Sequence, residues 1–229
     1  MLVMIDESAL APCIVHEKLN EQTLELMIWN GNRKLALQMR QYLPLINQGS
    51  RWVDQGFRNM HHFFHPIHKK GLPGCSNAQD EIRKFTKQIR KAGRSQNLRM
   101  FYFSLGAILH LTQDMCVPHH IFGKLLQGHH TYEKWVQDHF ESFPVKSFQK
   151  NLPEMTAEEI LINNAQNGLD FEGLMYGEMK EREMLMATTE LLQQARVSGI
   201  QLFRCYAAES LEMATEGREQ GALTIPKTA

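Results

Sequence analysis

Apolar residues recur along this chain at three- and four-residue intervals, the period of an α-helix packed by one face. Leu24, Met27 and Ile28 lead into Trp29, and Asn30-Gly31-Asn32 breaks this helix from a second. The second carries Leu35, Leu37, Met39 and Leu43 between Arg33 and Ile46, and Pro44 with Asn47-Gln48-Gly49-Ser50 is expected to end it. A third helix is predicted from about Trp52 to Phe64, stopped by Pro66. After the loop KKGLPGCSNAQ, residues 78–92 form a helix with Ile82, Phe85 and Ile89 inward. Ser95 is the expected cap of a long apolar helix through Asp114, ended by Pro118. A short helix follows from about His129 to Phe140.

Thr156-x-x-Glu159 is a capping-box signature for a helix to about Gln166. A last helix or helix pair spans roughly Gly177 to Thr215, with Gly199 as its expected weak point. No strand pattern, repeat or linker interrupts this series. The prediction is therefore all-α: a single-domain multi-helix bundle over residues 1–217, with 218–229 as a disordered tail.

Composition narrows the field. Hydrophobic residues make up 43% of 229 residues, enough for a sizeable core, and 25 basic residues balance 25 acidic ones. A neutral chain does not advertise a nucleic-acid partner through its bulk charge. Cys13, Cys75, Cys116 and Cys205 are dispersed and form no CxxC pair, which argues against a disulfide framework or a thiolate metal site. No apolar run approaches the ~20 residues that span a bilayer. The N-terminal MLVMIDESALAPC lacks the basic start and long apolar stretch of a signal peptide. The expected localisation is cytoplasmic, with secretion implied only if the start is mis-assigned.

Histidine is what changes the picture. There are 11, and all but His16 fall between His61 and His139. Between Leu105 and Phe140, His110 and Asp114 stand four apart, His120 follows beyond Pro118, and His129 and Glu133 again stand four apart. Residues four apart share a helix face, so two His/carboxylate pairs with a His between them can point into one site. Imidazole and carboxylate without thiolate suit zinc in an open, catalytic geometry. Upstream, His16, Asp54 and His62 (in HHFFHP) supply further donors of the same kind. His61, His119 and His130 each adjoin one of these residues and are the alternatives if the register slips by one.

With these positions assembled, the chain resembles the bacterial zinc-dependent phospholipase C family, whose helical catalytic domain is shared with fungal single-strand nucleases. The pattern is an early His, an Asp, a His-Phe-aromatic-x-Pro, a His-x-x-x-Asp with a His six residues on, and a closing His-x-x-x-Glu. Here these are His16, Asp54, His62, His110 with Asp114, His120, and His129 with Glu133.

The resemblance implies two or three zinc ions. Asp54, His62, His110 and Asp114 would hold one, His120, His129 and Glu133 a second, and His16 with a bridging Asp114 a third. It also implies a phospholipid substrate cut to diacylglycerol and a phosphorylated head group, with Asp54 as general base. Clustered zinc would neutralise an anionic phosphodiester and lower the pKa of water towards ~7. Peripheral membrane contact goes with such a substrate.

The sequence departs from the secreted members in two respects: no Trp precedes His16, and the Asp54-to-His62 interval is shorter. Met1 is the residue available to complete the third site. Two other readings stand beside this one: a single-strand nuclease or 3′-nucleotidase on the same scaffold, and a metal-binding regulatory protein without turnover. The basic stretch Arg83, Lys84, Lys87, Arg90, Lys91, Arg94 and Arg99 would serve a lipid or a nucleic-acid backbone equally.

Overall fold

A computed structural model describes residues 14–126, 128–148, 151–176 and 179–213. Over these the chain is all-α. Its helices are α1 (Ile14–Trp29), α2 (Arg33–Gln41), α3 (Leu43–Val53), α4 (Ala78–Arg94), α5 (Leu98–Asp114), α6 (Pro118–Ile121), α7 (His129–His139), α8 (Ala157–Gly168) and α9 (Glu181–Cys205). Among the described residues the sole β feature is an isolated antiparallel bridge between His65 and Lys70. No helix among them is long and apolar enough to cross a membrane.

Helix α5 is the axis of the bundle. From Phe101 to Asp114 all but one of its residues are buried, as its nearly unbroken apolar sequence requires. Helices α3, α4, α8 and α9 pack around it, and α1 bridges α2, α3 and α9. The α3–α5 crossing is close because glycine meets backbone on both sides. A Cβ on Gly49 would lie 1.9 Å from the Phe103 carbonyl oxygen, and one on Gly106 would lie 1.8 Å from that of Ile46. Ser50 seals the contact by donating its hydroxyl to the Gly106 carbonyl at 2.9 Å.

Several boundaries differ from the sequence expectation. Pro44 starts α3 instead of ending α2, because a proline in the first helical turn forfeits no hydrogen bond. Asn47-Gln48-Gly49-Ser50 is a buried stretch of that helix, in which Gly49 and Ser50 admit the α5 backbone and Asn47 accepts from Asn20. The helix predicted from Trp52 to Phe64 is absent. The chain leaves α3 at Asp54, makes a 3-10 turn over Gly56–His61, and runs irregularly through Phe64.

Asn97, not Ser95, caps α5, accepting from the Met100 amide at 3.0 Å. Pro118 opens α6 as its first residue. The Thr156/Glu159 capping box forms as expected. Gly199 does not weaken α9. It is buried where an added Cβ would meet the Thr23 hydroxyl at 2.9 Å, and the break comes at Tyr206. The tail assigned to 218–229, and Met1, lie outside the described residues.

Candidate metal centre

Helix α5 delivers His110 and Asp114 one turn apart, at 1% and 2% exposure, toward the end of the bundle where α3 and α6 stop. Asp54 sits just past the last turn of α3, half exposed, with Oδ1 3.8 Å from His110 Nε2. The first turn of α1 brings His16, whose ring stacks on His110 at 3.9 Å. Buried His62 follows the 3-10 turn, and the Phe64 amide donates to the His120 carbonyl at 3.1 Å, tying this strip to α6. Helix α6 presents His120, and α7 presents His129 and Glu133 on one face. All eight predicted residues converge. They form four overlapping groups: His16, His110 and Asp114; Asp54, His62 and His110; His62, Asp114 and His120; His120, His129 and Glu133. Within each group the candidate ligand atoms lie within 4.8 Å of one another.

Hydrogen bonds on the far side of two rings decide what the near side offers. His62 Nε2 lies 3.0 Å from the Val53 carbonyl oxygen. A carbonyl only accepts, so the N–H belongs on Nε2, and Nδ1 turns its lone pair to Asp114 Oδ2 at 2.8 Å. His16 repeats the arrangement. Its Nδ1 donates to Gln113 Oε1 at 2.8 Å, and Nε2 faces Asp114 Oδ1 at 3.3 Å.

Burial pushes both imidazoles down in pKa, the direction that favours their neutral form. His110 Nε2 and His120 Nδ1 approach the same Oδ2 at 3.2 and 3.8 Å. His62 Nδ1, Asp114 Oδ2 and His120 Nδ1 are buried without a hydrogen bond among the described residues. Lone pairs aimed at a buried carboxylate repel it unless a cation stands between them.

At the other end, His120 Nε2 and His129 Nε2 are 2.9 Å apart and lie 3.3 and 2.8 Å from Glu133 Oε1. Nitrogens ~2.0–2.1 Å from a tetrahedral zinc are ~3.3 Å from one another, so these spacings fit that ion. The donor set of imidazole and carboxylate fits it chemically. His120 turns Nε2 to the Glu133 group and Nδ1 toward Asp114, so ligation through Nε2 leaves the Nδ1 N–H directed at the Asp114 carboxylate.

Electrostatics follows the same division. Burial alone would raise the Asp114 carboxyl, but the neighbouring His110 and His120 rings hold it well below the carboxylate range. Burial also opposes Glu133, and His120 and His129 overcome it. For His120, burial lowers the pKa while Asp114 and Glu133 raise it further, and the carboxylates prevail.

The metal-free protein is therefore expected to lose stability as pH falls from 7 to 5. His16 and His62, depressed in the fold, take up protons more readily when unfolded below ~6.5, and the raised His120 opposes them only singly. Below ~4.3 the loss steepens, because Asp114 and Glu133 stay ionised in the fold while the unfolded chain binds protons. Thermal denaturation of chelator-treated protein between pH 7 and 3 checks this; a Tm that rises towards acid contradicts it.

One part of the site has no sequence motif. Gln113 accepts from His16 and donates its Nε2 to Asn20 Oδ1 at 3.0 Å, and Asn20 donates to Asn47 Oδ1 at 3.0 Å. This buried amide chain fixes the His16 tautomer. Its one signal was a run of polar residues in otherwise apolar helices. Gln113→Leu is expected to weaken metal binding at the His16 end by about 10- to 100-fold, read by chelator competition.

The neighbouring histidines take other places. His119 is buried against His129 and Tyr132 at 5.5 and 5.4 Å between rings, and His61 bonds to the Ser76 hydroxyl at 2.8 Å. His130 lines the cavity. Among the described residues none of the three joins a converging group.

The centre opens into a cavity of about 480 Å³ lined by Asp54, Asp114, His120, His129 and Glu133, and by apolar residues of α1, α7 and α9. The sequence profile described as "Zinc dependent phospholipase C" matches residues 15–175. No curated protein matches the chain by sequence. Among solved structures, the alpha-toxin of an avian strain of Clostridium perfringens superposes with a TM-score of 0.70 at 16% identity, over 86% of this chain and 64% of the toxin. The alpha toxin of Clostridium absonum gives 0.68 at 16% identity with the same coverage. The chain thus spans about two thirds of the toxins' length, and the likeness is one of fold.

Proposed function

Because the chain belongs to the zinc-dependent phospholipase C family, we propose that it is a phosphodiester hydrolase of phospholipase C type. It would cut a phospholipid to diacylglycerol and a phosphorylated head group with the help of two or three zinc ions. The observation that carries this reading is that His16 and His62, their N–H groups used elsewhere, turn bare ring nitrogens to the buried Asp114 carboxylate, with His110 Nε2 beside them. A cation between those nitrogens and the carboxylate would satisfy both, and clustered cations are what an anionic diester needs beside its phosphorus. Bound zinc would supply Lewis acidity, neutralising phosphate charge and acidifying water.

The protein's own groups do the rest. Asp114 and His120 link the two ends of the cluster, and His16, His62, His110, His129 and Glu133 complete it. The Val53 carbonyl and Gln113 hold the His62 and His16 rings in the tautomers that leave the metal-facing nitrogens bare. Asp54, half exposed on the cavity wall, takes the proton of the attacking water. Phe57 and Leu126, 90% and 92% exposed on the segments that line the cavity, suit contact with a lipid surface. The basic stretch from Arg83 to Arg99 on α4 and α5 does not line the cavity, and Arg83 and Lys84 are engaged by Glu158 and Glu81.

Zinc-reconstituted protein assayed against phosphatidylcholine vesicles, single-stranded DNA and a chromogenic phosphodiester tests the reading. Hydrolysis of the lipid and of the chromogenic diester is expected, and Asp54→Asn is expected to lower kcat by about 10²- to 10⁴-fold. Hydrolysis of DNA alone would reject it in favour of a nuclease. Bound zinc without turnover on any substrate would favour a regulatory role.

A further inference from the structure

The cavity lining combines the metal-ligating side chains with an apolar wall. Beside the metal-ligating side chains the same cavity is lined by Leu19 of α1, Cys116 beyond α5, Val136 of α7, and Leu191, Leu192 and Ala195 of α9. They belong to a hydrophobic cluster separate from the main core, and none is more than 7% exposed. Two hydroxyls reach this wall, those of Tyr132 and Thr188, and they bond to each other at 3.1 Å. Among the described residues these six apolar side chains are joined by no charged one in their cluster, and Lys134 and Glu133 of α7 belong to the same cavity lining. A cationic head group would find no counter-charge among those six, and a nucleobase would find no open aromatic face. The Tyr132 ring is already engaged by His119 and Trp135, at 5.4 and 6.4 Å. A hydrocarbon chain is the ligand that gains from such a surface.

We propose that this wall, between α1, α7 and α9, is a site for one hydrocarbon chain of the substrate. The chain would be drawn out of the lipid layer and seated beside the metal centre. The inference rests on the phosphodiesterase reading and adds to it a selectivity by chain length. The continuity of the void is its warrant, since a phosphate at Asp114 and an alkyl group against Leu192 would share one cavity. The chain also displaces water from the side of the reacting phosphate opposite the open rim.

Calorimetric titration of the zinc-loaded protein with butyl, hexyl and octyl phosphate, below their micelle-forming concentrations, tests it. Kd is expected to fall by about fourfold per methylene, with an increasingly negative heat-capacity change. Ala195→Trp, which fills the wall, is expected to bring octyl phosphate to the affinity of butyl phosphate. The wild-type series decides the matter even where that variant does not fold. A Kd constant across the series overturns the chain site, and hydrolysis of a chromogenic diester by the same preparation then leaves the parent reading standing. A chain-length dependence without hydrolysis of any phosphodiester supports the chain site and rejects the parent reading.

Discussion

Asp114→Asn is expected to abolish metal binding at the Asp54, His62 and His110 end of the cluster and to cut phosphodiester hydrolysis by about a thousandfold or more. The substitution keeps the side chain's size and removes its charge. Both carboxylate oxygens are in use: Oδ1 faces His16, and Oδ2 faces His62, His110 and His120. An amide presents one oxygen and one NH₂, so at least one of these nitrogens would confront a donor where a cation belongs. The fold itself should survive. Asp114 lies at the last turn of α5, and its main-chain carbonyl, which accepts from the Val117 amide at 2.8 Å, is untouched. Circular dichroism of the metal-free variant should match that of the metal-free parent, while zinc per chain and kcat/KM both collapse. Retained zinc with retained activity would remove Asp114 from the centre of the account.

The second large effect is mechanical. Gly106→Ala is expected to lower stability by about 3 kcal/mol or more, and Gly49→Ala by a similar amount. In each case the new Cβ would sit within 2 Å of a carbonyl oxygen on the other helix, so no flexible side chain can yield and the two backbones must part. For a chain of this size that corresponds to a fall in Tm of about 6–12 °C. The site feels the same displacement. Helix α3 ends beside Asp54 and holds His62 through the Val53 carbonyl, and α5 carries His110 and Asp114. Zinc affinity should therefore fall along with Tm. Gly93→Ala is the control, because a Cβ there meets nothing within 4 Å; it is expected to be neutral or to stabilise by up to ~1 kcal/mol. Equal effects at Gly93 and Gly106 would show that the crossing does not matter.

These two residues also mark how far the sequence can be read. The spacing of His110 with Asp114, and of His129 with Glu133, was legible because a helix turns four residues onto one face, and α5 and α7 are regular helices. The Thr156 box was legible for the same local reason. The α3–α5 crossing was not: Asn47-Gln48-Gly49-Ser50 has the composition of a turn, and only the approach of α5 from more than 50 residues away explains a buried glycine there.

Proline misled at Pro44, since it is at home both after a helix and in its first turn, and sequence alone does not say which. At Pro118 the end of α5 at Asp114 was as expected, and only the short α6 went unforeseen. The amide chain from Gln113 through Asn20 to Asn47 was invisible because its members are brought together by three different helices. His120 was found by motif, but its use of both ring nitrogens, one toward Asp114 and one toward Glu133, is a fact of orientation that spacing does not carry.

The measurement that bears most directly on a multi-zinc centre is metal content. Purified protein, loaded with zinc and dialysed, should hold at least two zinc ions per chain by plasma mass spectrometry, and Asp114→Asn should hold fewer. A parent chain that binds none, or one that binds a single ion unaffected by Asp114→Asn, would contradict the account.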